Sequence, residues 1–456
     1  MDELHAIAAR LDRLPRHSKW HSHLVLMLGA AVFCDCLVQY VGSSMLTSLV
    51  SVGWSTFDLN VLSISLTMVG YSIGSLIGGC FSDKYGRRKG ILCSVLTFVV
   101  FAFVAALAQN MEWLIVCRFV MGIGLGAALV VSYGSLPEYS PAQARGYYSG
   151  IVGLIGNFSP PLGFLATLVV LPLVGWRVLY VFLGLISLGV LFVLYKRFPE
   201  SPRWLASQGN MEEADNFISE IETDFRSQGV NLKTIEEAKI KYNEKIFLRT
   251  RPSFRDLFKA KLRKRTFCAC CLLFAMNALV YTFTNWTLAR LVLQGINMEV
   301  SLGATTSILL GAPFGILFLV VFADKHSRKG GLIVCLLVLA ALSIVWSNIP
   351  QDDMAAVILI GFALCAWLYY YSLLACSVYI GELFPTQIRL RGVGFANAIG
   401  RFASVSSPFL VSGTVSSWGM SMVYIICALI CLITAVILFF FGTETRYRTL
   451  EDISDA

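Results

Sequence analysis

The chain has 456 residues, of which 57% are hydrophobic and only 14% are charged. Soluble domains carry about 25% charged residues, so this composition excludes a water-facing surface and makes the lipid bilayer the main partner. The net charge of +8 does not indicate a nucleic-acid partner, because the basic residues lie in short clusters between apolar runs, as topology signals do.

Twelve apolar runs are each long enough to form a membrane-crossing helix, which needs roughly 20 residues. We number them as spans in chain order. Spans 1 to 6 are predicted at 24–46, 60–81, 90–108, 113–136, 147–170 and 177–196, and spans 7 to 12 at 267–289, 301–322, 331–347, 354–380, 392–413 and 420–441. The predicted fold class is therefore an all-α membrane protein with 12 transmembrane helices.

The spans fall into two groups of six, separated by a polar stretch. That stretch alternates acidic and basic residues in helical periodicity over Met211–Glu222 and Leu232–Phe247, which predicts amphipathic helices lying under the bundle. The predicted organisation is an N-terminal segment, a six-helix bundle, a linker, a second six-helix bundle and a tail, at 1–23, 24–197, 198–265, 266–442 and 443–456.

The basic residues collect in alternate loops. They occupy the N-terminal segment, the loops after spans 2, 8 and 10, the linker and the tail, whereas the opposite loops carry few cations. Because positive loops stay in the cytoplasm, both termini are predicted to be cytoplasmic. The first apolar run continues into a multi-span protein, and no cleavable signal peptide is predicted.

Thirteen cysteines are present, and most lie inside apolar runs. The cluster Cys268, Cys270 and Cys271 has neither a CxxC spacing nor a nearby histidine, so we expect no metal site and no disulfide framework.

Two loop motifs recur six helices apart. Span 2 is followed by Asp83-Lys84, two further residues and a basic pair. Span 8 is followed by Asp324-Lys325, two further residues and a basic pair. Glu138 with Arg145 after span 4 corresponds to Glu382 with Arg391 after span 10. Matching loops at this spacing indicate a duplicated six-plus-six transporter.

These motifs resemble the major facilitator superfamily over nearly the whole chain. Gly79 to Lys89 follows the pattern that is most specific to that superfamily. Three further motifs resemble sugar porters and their relatives that carry organic ions and metabolites: Pro199 to Leu205, Arg118 with the glycines after it, and Gly442-Thr443-Glu444-Thr445. The resemblance implies two pseudo-symmetric six-helix bundles, alternating access and a monomer. It implies no enzyme activity, and no cofactor other than a proton as coupling ion.

Several features point away from sugars within that group. Met276 to Trp286 in span 7 lacks the Gln-Gln pair of sugar porters and looks like aromatic-acid and metabolite proton symporters. The N-terminal Arg10 to Pro15 is similar to bacterial niacin-like symporters. Those relatives often carry two acids in span 1, of which this chain keeps Asp35 and replaces the other with Val38. The short loop after span 1 favours a bacterial inner-membrane protein over animal organic-ion carriers.

Three charged residues lie well inside spans, away from their ends, where a charge is costly unless it is paired or hydrated. Asp35 is near the midplane of span 1 and is the predicted proton-coupling group. Arg118 in span 4 is its expected partner, and the resemblance implies that it modulates the proton affinity of the carboxylate. Arg401, near the midplane of span 11, is predicted to bind an anionic substrate through its guanidinium fork. The alternative for each of the three is a structural role, such as an ion pair in helix packing for Asp35 and a bond to another helix or a carbonyl for Arg401.

Polar and aromatic side chains on the same spans are candidates for the rest of the substrate cavity, since such sites combine apolar walls with a few polar groups. They are Gln39, Tyr40, Asn157, Asn277, Tyr281, Trp286, Trp367 and Tyr370.

The charged loop residues are predicted to form a cytoplasmic gate. Asp83 is expected to pair with Arg87 or Arg88, and the resemblance implies that Glu138 and Glu382 join Arg145 and Arg391 in salt bridges. Asp324 and Arg328 repeat the first of these motifs in the second half.

The function predicted from these features is proton-coupled symport of a small organic acid or metabolite. Two alternatives remain open at this point: an exporter of organic cations that uses Asp35 as counter-ion, and a sugar:proton symporter. A nutrient sensor built on the transporter fold is disfavoured because no signalling domain is recognisable.

Overall fold

A computed structural model describes most of the chain. The described residues are 10–11, 14, 19–51, 53–140, 144–227, 254–293, 295–322, 327–349, 353–384 and 389–445.

The first six spans are helices with bounds close to those predicted. Polar caps begin two of them: Thr56 accepts the N–H of Leu59, and Asn110 accepts the N–H of Trp113. The helices are Lys19–Ser51, Phe57–Tyr85, Arg87–Ala106, Met111–Tyr139, Arg145–Gly156 with Ser159–Val169, and Leu171–Arg197.

The last six spans repeat this arrangement, and side-chain caps from Ser327 and Asp353 begin spans 9 and 10. The helices are Ala260–Leu293, Met298–Leu309 with Gly311–Phe322, Arg328–Ser347, Met354–Leu373 continued to Leu383, Arg389–Trp418 and Met420–Phe441.

Spans 5 and 8 are each interrupted, where a continuous helix is predicted from the sequence. In span 5, the Asn157 side chain donates to the carbonyl of Gly153 at 2.8 Å, and Pro160 and Pro161 follow without N–H groups to continue the ladder. In span 8, the interruption at Leu310 precedes Pro313. The pattern of apolar residues alone does not predict these two interruptions.

The prediction of 12 transmembrane helices is confirmed. Eleven of the described helices are long and apolar enough to cross a membrane. The helix of span 11 is 30 residues long but is more polar, since it carries Arg401 and several serines. Asn397, Arg401, Ser404 and Ser407 are buried, and the helix packs along spans 7 and 2.

The two halves use the same helix pairings. In the first half span 4 packs on spans 2 and 3, span 1 on span 5, and span 6 on spans 1 and 3. The same pairs recur six spans later, with span 10 on spans 8 and 9, span 7 on span 11, and span 12 on spans 7 and 9. The predicted pseudo-symmetric pair of six-helix bundles is therefore confirmed. The halves meet where span 2 packs on span 11 and span 5 packs on span 8.

Glycines let the helices within each half approach backbone to backbone. A methyl group added at Gly126 of span 4 would lie 2.0 Å from the carbonyl oxygen of Tyr71 in span 2. The equivalent contact in the second half joins Gly315 of span 8 to Ala366 of span 10, where the corresponding distance is 1.9 Å. These contacts hold Tyr71 at a fixed height in the bundle.

Large apolar side chains cover the outside of the bundle. Leu173, Phe192 and Phe440 are 79%, 61% and 72% exposed, respectively. Exposing so many apolar side chains to water is unfavourable, so this surface faces lipid.

The linker is helical at Pro202–Ser207 and Met211–Ser227. The second helix packs against Leu11 and Leu14 of the N-terminal segment. The predicted amphipathic stretch Leu232–Phe247 lies outside the described residues. We call the end of the bundle that carries the linker and the loops after spans 2, 4, 8 and 10 the basic face.

We expect Gly126→Ala to destabilise the protein by about 1–3 kcal/mol, because the added methyl group forces spans 2 and 4 apart. The thermal midpoint of the detergent-purified protein measures this. Gly189→Ala in span 6 is the matched control, since nothing lies within 4 Å of its added methyl group. Equal midpoints for the two variants would show that the close approach of spans 2 and 4 is not required.

Candidate functional site

Four side chains from four different spans meet at the middle of the bundle. Tyr71 of span 2 donates its hydroxyl to Oδ2 of Asp35 in span 1, at 2.9 Å. The guanidinium of Arg401 in span 11 lies over the Tyr71 ring, 3.9 Å from its centroid. Arg401 also donates to the hydroxyl of Tyr281 in span 7. We call Asp35, Tyr71, Tyr281 and Arg401 the central cluster.

The central cluster joins the two halves, and its two charged residues are buried. Asp35 is 2% exposed and Arg401 is 5% exposed. Asp35 and Tyr71 come from the first half, and Tyr281 and Arg401 come from the second. No direct ion pair between Asp35 and Arg401 is found among the described residues, although their charges interact. Tyr71 contacts both, Asp35 through its hydroxyl and Arg401 through its ring.

Each charged group of the central cluster keeps one hydrogen-bonding atom unused. Oδ1 of Asp35 and Nε of Arg401 are buried and have no hydrogen-bond partner in the described part of the chain. Buried polar atoms in proteins are nearly always paired, so an unpaired acceptor and an unpaired donor in one cluster indicate a site for a further group.

The predicted ion pair between Asp35 and Arg118 is not formed. Arg118 donates instead to the carbonyl oxygen of Gly42 and, at 3.3 Å, to Thr67. Gly42 lies two helical turns beyond Asp35 in span 1, or about 10 Å along the axis. A methyl group at Gly42 would lie 2.9 Å from the guanidinium, so the glycine provides the space that Arg118 occupies.

Asn277 and Tyr40 lie on the two sides of the central cluster. Asn277 of span 7 is fully buried, and its Oδ1 accepts the hydroxyl of Ser404, which follows Arg401 by one turn of span 11. Tyr40 of span 1 hydrogen-bonds to Tyr369 of span 10 at 2.9 Å and so joins the halves a second time. Gln39 is buried beside it in span 1.

The other predicted cavity residues are not gathered into the central cluster. Asn157 bonds to its own helix at the interruption of span 5. Trp367 and Tyr370 pack edge-on against Phe318 of span 8, in the apolar core of the second half. Trp286 is half-buried, more than one turn beyond Tyr281 in span 7.

Tyr71 and Tyr369 were missed by the sequence analysis. Tyr71 is halfway along span 2, at the same depth as Asp35 and Arg401. Its depth in the membrane could therefore be predicted from the span limits. What the sequence does not reveal is that its hydroxyl and its ring face contact opposite charges.

On the basic face, Arg87 is the centre of the network in the first half. It binds Glu138 through two parallel hydrogen bonds of 2.9 and 2.7 Å and Asp83 at 3.1 Å. Glu200 accepts the N–H of Arg87 at 2.6 Å and so caps span 3, while Ser201 donates to Glu138 at 2.6 Å. Burial raises the pKa of Glu200, and the backbone N–H groups that it accepts oppose this rise.

The described residues of the second half repeat the main features of this network. Glu444 accepts the N–H of Arg328 at 3.0 Å and caps span 9, as Glu200 caps span 3. Thr445 donates to Glu382 at 2.6 Å, and Arg328 lies 3.8 Å from the same carboxylate. The Pro-Glu-Ser and Thr-Glu-Thr motifs are therefore equivalent caps.

The expected pairing of Glu138 and Glu382 with Arg145 and Arg391 stays a prediction. Glu138 binds Arg87, whereas the side chain of Arg145, like the whole of Asp324, lies outside what the structure describes. Arg391 lies 3.8 Å from Asp83 and so links the two halves on the basic face. Arg88 donates to the carbonyl oxygen of Tyr195 in span 6.

Comparison with known proteins identifies the family. The family described as "Sugar (and other) transporter" matches residues 30–456. The chain belongs to this family. The inner membrane metabolite transport protein YdjE of Escherichia coli is 35% identical over 456 residues and covers all of both chains.

Two further proteins are similar over nearly their whole length. The niacin transporter NiaP of Acinetobacter baylyi is 26% identical over 455 residues, which are 98% of this chain and 99% of the relative. The structure of the major facilitator superfamily proton:xylose symporter XylE, bound to 6-bromo-6-deoxy-D-glucose, superposes with a TM-score of 0.76 at 20% identity, over 96% of this chain and 98% of XylE. The chain is thus a major facilitator superfamily transporter and not an enzyme.

We expect Tyr71→Phe to shift the pH dependence of transport. The amount of folded protein should change less. The ring that faces Arg401 is kept, but Asp35 loses its one hydrogen-bond donor from the described residues and its affinity for a proton changes. Transport measured across external pH in proteoliposomes would show a displaced optimum. Tyr424→Phe, which removes a buried hydroxyl from span 12, is the control and keeps the wild-type profile. Identical profiles for all three proteins would exclude Tyr71 from proton coupling.

Proposed function

We propose that this protein is a proton-coupled symporter of small carboxylates, in which Asp35 carries the proton and Arg401 binds the anion. The observation that carries the proposal is the central cluster. In it, Asp35 of one half and Arg401 of the other are both buried and both contact Tyr71.

The charge balance of the central cluster supports an anion and a proton as the joint cargo. With Asp35 ionised and Arg401 protonated, the cluster is neutral. A bound carboxylate adds one negative charge, which is costly in a buried site, and a proton on Asp35 restores neutrality. Anion binding and proton uptake therefore favour each other, which is the condition for symport.

The environment of Arg401 suits a carboxylate. A guanidinium offers parallel N–H groups that match the two oxygens of a carboxylate. Tyr281 and the Tyr71 ring hold the guanidinium in place while Nε stays unpaired. A substrate carboxylate can take this donor without breaking an existing ion pair.

Alternating access follows from the placement of the two charges on different halves. Spans 2 and 11 form a contact between the halves, and Tyr71 and Arg401 lie on these spans. If the halves rock about this contact, the Tyr71–Arg401 contact opens and closes with the site. Asp35 then exchanges its proton with whichever side is open. We place the protein in a bacterial inner membrane with both termini in the cytoplasm.

The relatives support two substrate classes. Niacin, carried by NiaP, is a carboxylic acid, whereas XylE is named for a neutral sugar. The second candidate is accordingly a sugar:proton symporter, which the family description favours. A neutral sugar leaves the charge of Arg401 unused, so the central cluster favours the carboxylate. An organic cation would meet Arg401 as a like charge, which disfavours the exporter.

The substrate class is testable by thermal shift of the purified protein with carboxylates, neutral sugars and organic cations at two pH values, because a ligand stabilises the state that it binds. The proposal expects stabilisation by carboxylates that increases at the lower pH. Stabilisation by sugars alone would replace it with the sugar symporter, and stabilisation by cations alone with the exporter.

We expect Asp35→Asn to keep substrate binding but to lose accumulation driven by a pH gradient. The amide preserves the shape of the side chain and carries no exchangeable charge. Uptake into proteoliposomes with and without an imposed gradient measures this, and counterflow exchange, which needs no gradient, is the control. Gradient-driven accumulation by the variant would remove Asp35 from the mechanism.

We expect Arg401→Lys to weaken carboxylate binding by about tenfold or more, because a lysine keeps the charge but loses the planar fork. Isothermal titration of the purified protein measures the loss. Arg290→Lys is the matched control, since Arg290 is equally buried in the second half, where it contacts the ring and carbonyl oxygen of Trp346. Equal losses in both variants would assign Arg401 a structural role.

A further inference from the structure

We infer that the substrate is a hydroxycarboxylate, an acid whose carbon chain also carries hydroxyl groups. This inference rests on the proposed function and narrows it. It depends on three buried polar atoms that have no partner among the described residues: Nε of Arg401, Oδ1 of Asp35 and Oδ1 of Asn397.

Asn397 belongs to the same side of span 11 as Arg401. The two residues are four apart, so they lie one turn from each other on one face of the helix. Gly394, three residues earlier, approaches the carbonyl oxygen of Ser75 in span 2, and Arg401 covers the ring of Tyr71 in span 2. Asn397 therefore lies on the face of span 11 that packs against span 2.

The amide of Asn397 is oriented by one bond only. Its nitrogen donates to the carbonyl oxygen of Val393 at 2.9 Å, which leaves the amide oxygen as an acceptor. Asn397 is 2% exposed, so water does not reach this oxygen from the protein surface. An unpaired acceptor at this depth is costly unless a ligand satisfies it.

The three unpaired atoms define the hydrogen-bonding pattern of the ligand. Arg401 offers a donor to a negatively charged acceptor. Asp35 and Asn397 offer acceptors, which call for donors on the same ligand. A plain carboxylate satisfies the first atom only. A polyol can bond to the two acceptors and to Nε, but it brings no negative charge to match the guanidinium of Arg401. A carboxylate with hydroxyl groups along a short carbon chain satisfies all three.

A hydroxyl group fits Asp35 better than an ammonium group. Asp35 is an acceptor when ionised and becomes a donor when it takes up a proton, and a hydroxyl can both donate and accept. The ligand thus stays hydrogen-bonded to Asp35 through the protonation step. An ammonium can only donate, and its charge would neutralise Asp35 and remove the need for a proton.

The experiment compares matched ligands that differ in one feature, by isothermal titration of the full-length purified protein at acidic pH. The three-carbon set is glycerate, propanoate and glycerol, and the six-carbon set is gluconate, hexanoate and glucitol. We expect glycerate or gluconate to bind at least about tenfold more tightly than the plain acid of equal length, because a site built to bond a hydroxyl rejects analogues that lack it.

The outcomes separate the inference from the proposed function. Equal affinity for the plain acid and its hydroxylated counterpart in both sets would overturn the hydroxycarboxylate and leave the carboxylate symporter standing. Affinity for the polyols equal to or above that for the hydroxylated acids, or no binding of any acid, would overturn both.

A variant tests the role of Asn397 directly. Asn397→Leu keeps the size of the side chain and removes its polar atoms, so binding of the hydroxylated acid should fall towards that of the plain acid, whose own affinity should not change. Thr434→Val, a buried polar residue of span 12, is the control and should change neither. An undiminished preference in Asn397→Leu would exclude Asn397, and the ligand comparison on the wild-type protein stands independently of whether the variant folds.

Discussion

The arrangement of the whole bundle depends on how two opposite charges are kept in the middle of a membrane. Asp35 and Arg401 do not pair directly; the hydroxyl of Tyr71 bonds to the acid, and the face of its ring receives the base. A direct ion pair would neutralise both groups permanently. The tyrosine lowers the cost of both charges, and each charged group keeps one buried atom without a partner among the described residues.

This arrangement requires backbones to approach closely at several places. Gly126 brings span 4 onto the carbonyl of Tyr71, and Gly394 brings span 11 towards Ser75 one turn away. On the basic face, Glu200 and Glu444 cap spans 3 and 9 in the same way in each half. Such contacts pack the helices of each half closely together, and the central cluster lies on the boundary between the two halves.

The chemistry of the cluster also relates the two kinds of substrate found among the relatives. Sugars and organic acids differ in charge, and Arg401 is the group in the cluster that responds to this difference. Hydroxyl groups are common to sugars and hydroxylated acids, and Asp35 and Asn397 are acceptors that suit them. Under the proposed function, one cation in the central cluster distinguishes an acid from a sugar.

The sequence by itself determined the twelve spans, the duplication and the mid-membrane position of Asp35 and Arg401, because apolar length, repeated loop motifs and charges at mid-membrane are all properties of chain position. Only the tertiary structure decided which partner each charge has. Arg118 reaches Gly42 instead of Asp35, and Tyr71 joins the two halves. The reason is that the depth of a residue follows from counting along its helix, whereas its neighbours depend on the rotation and packing of other helices, which glycine contacts set in three dimensions.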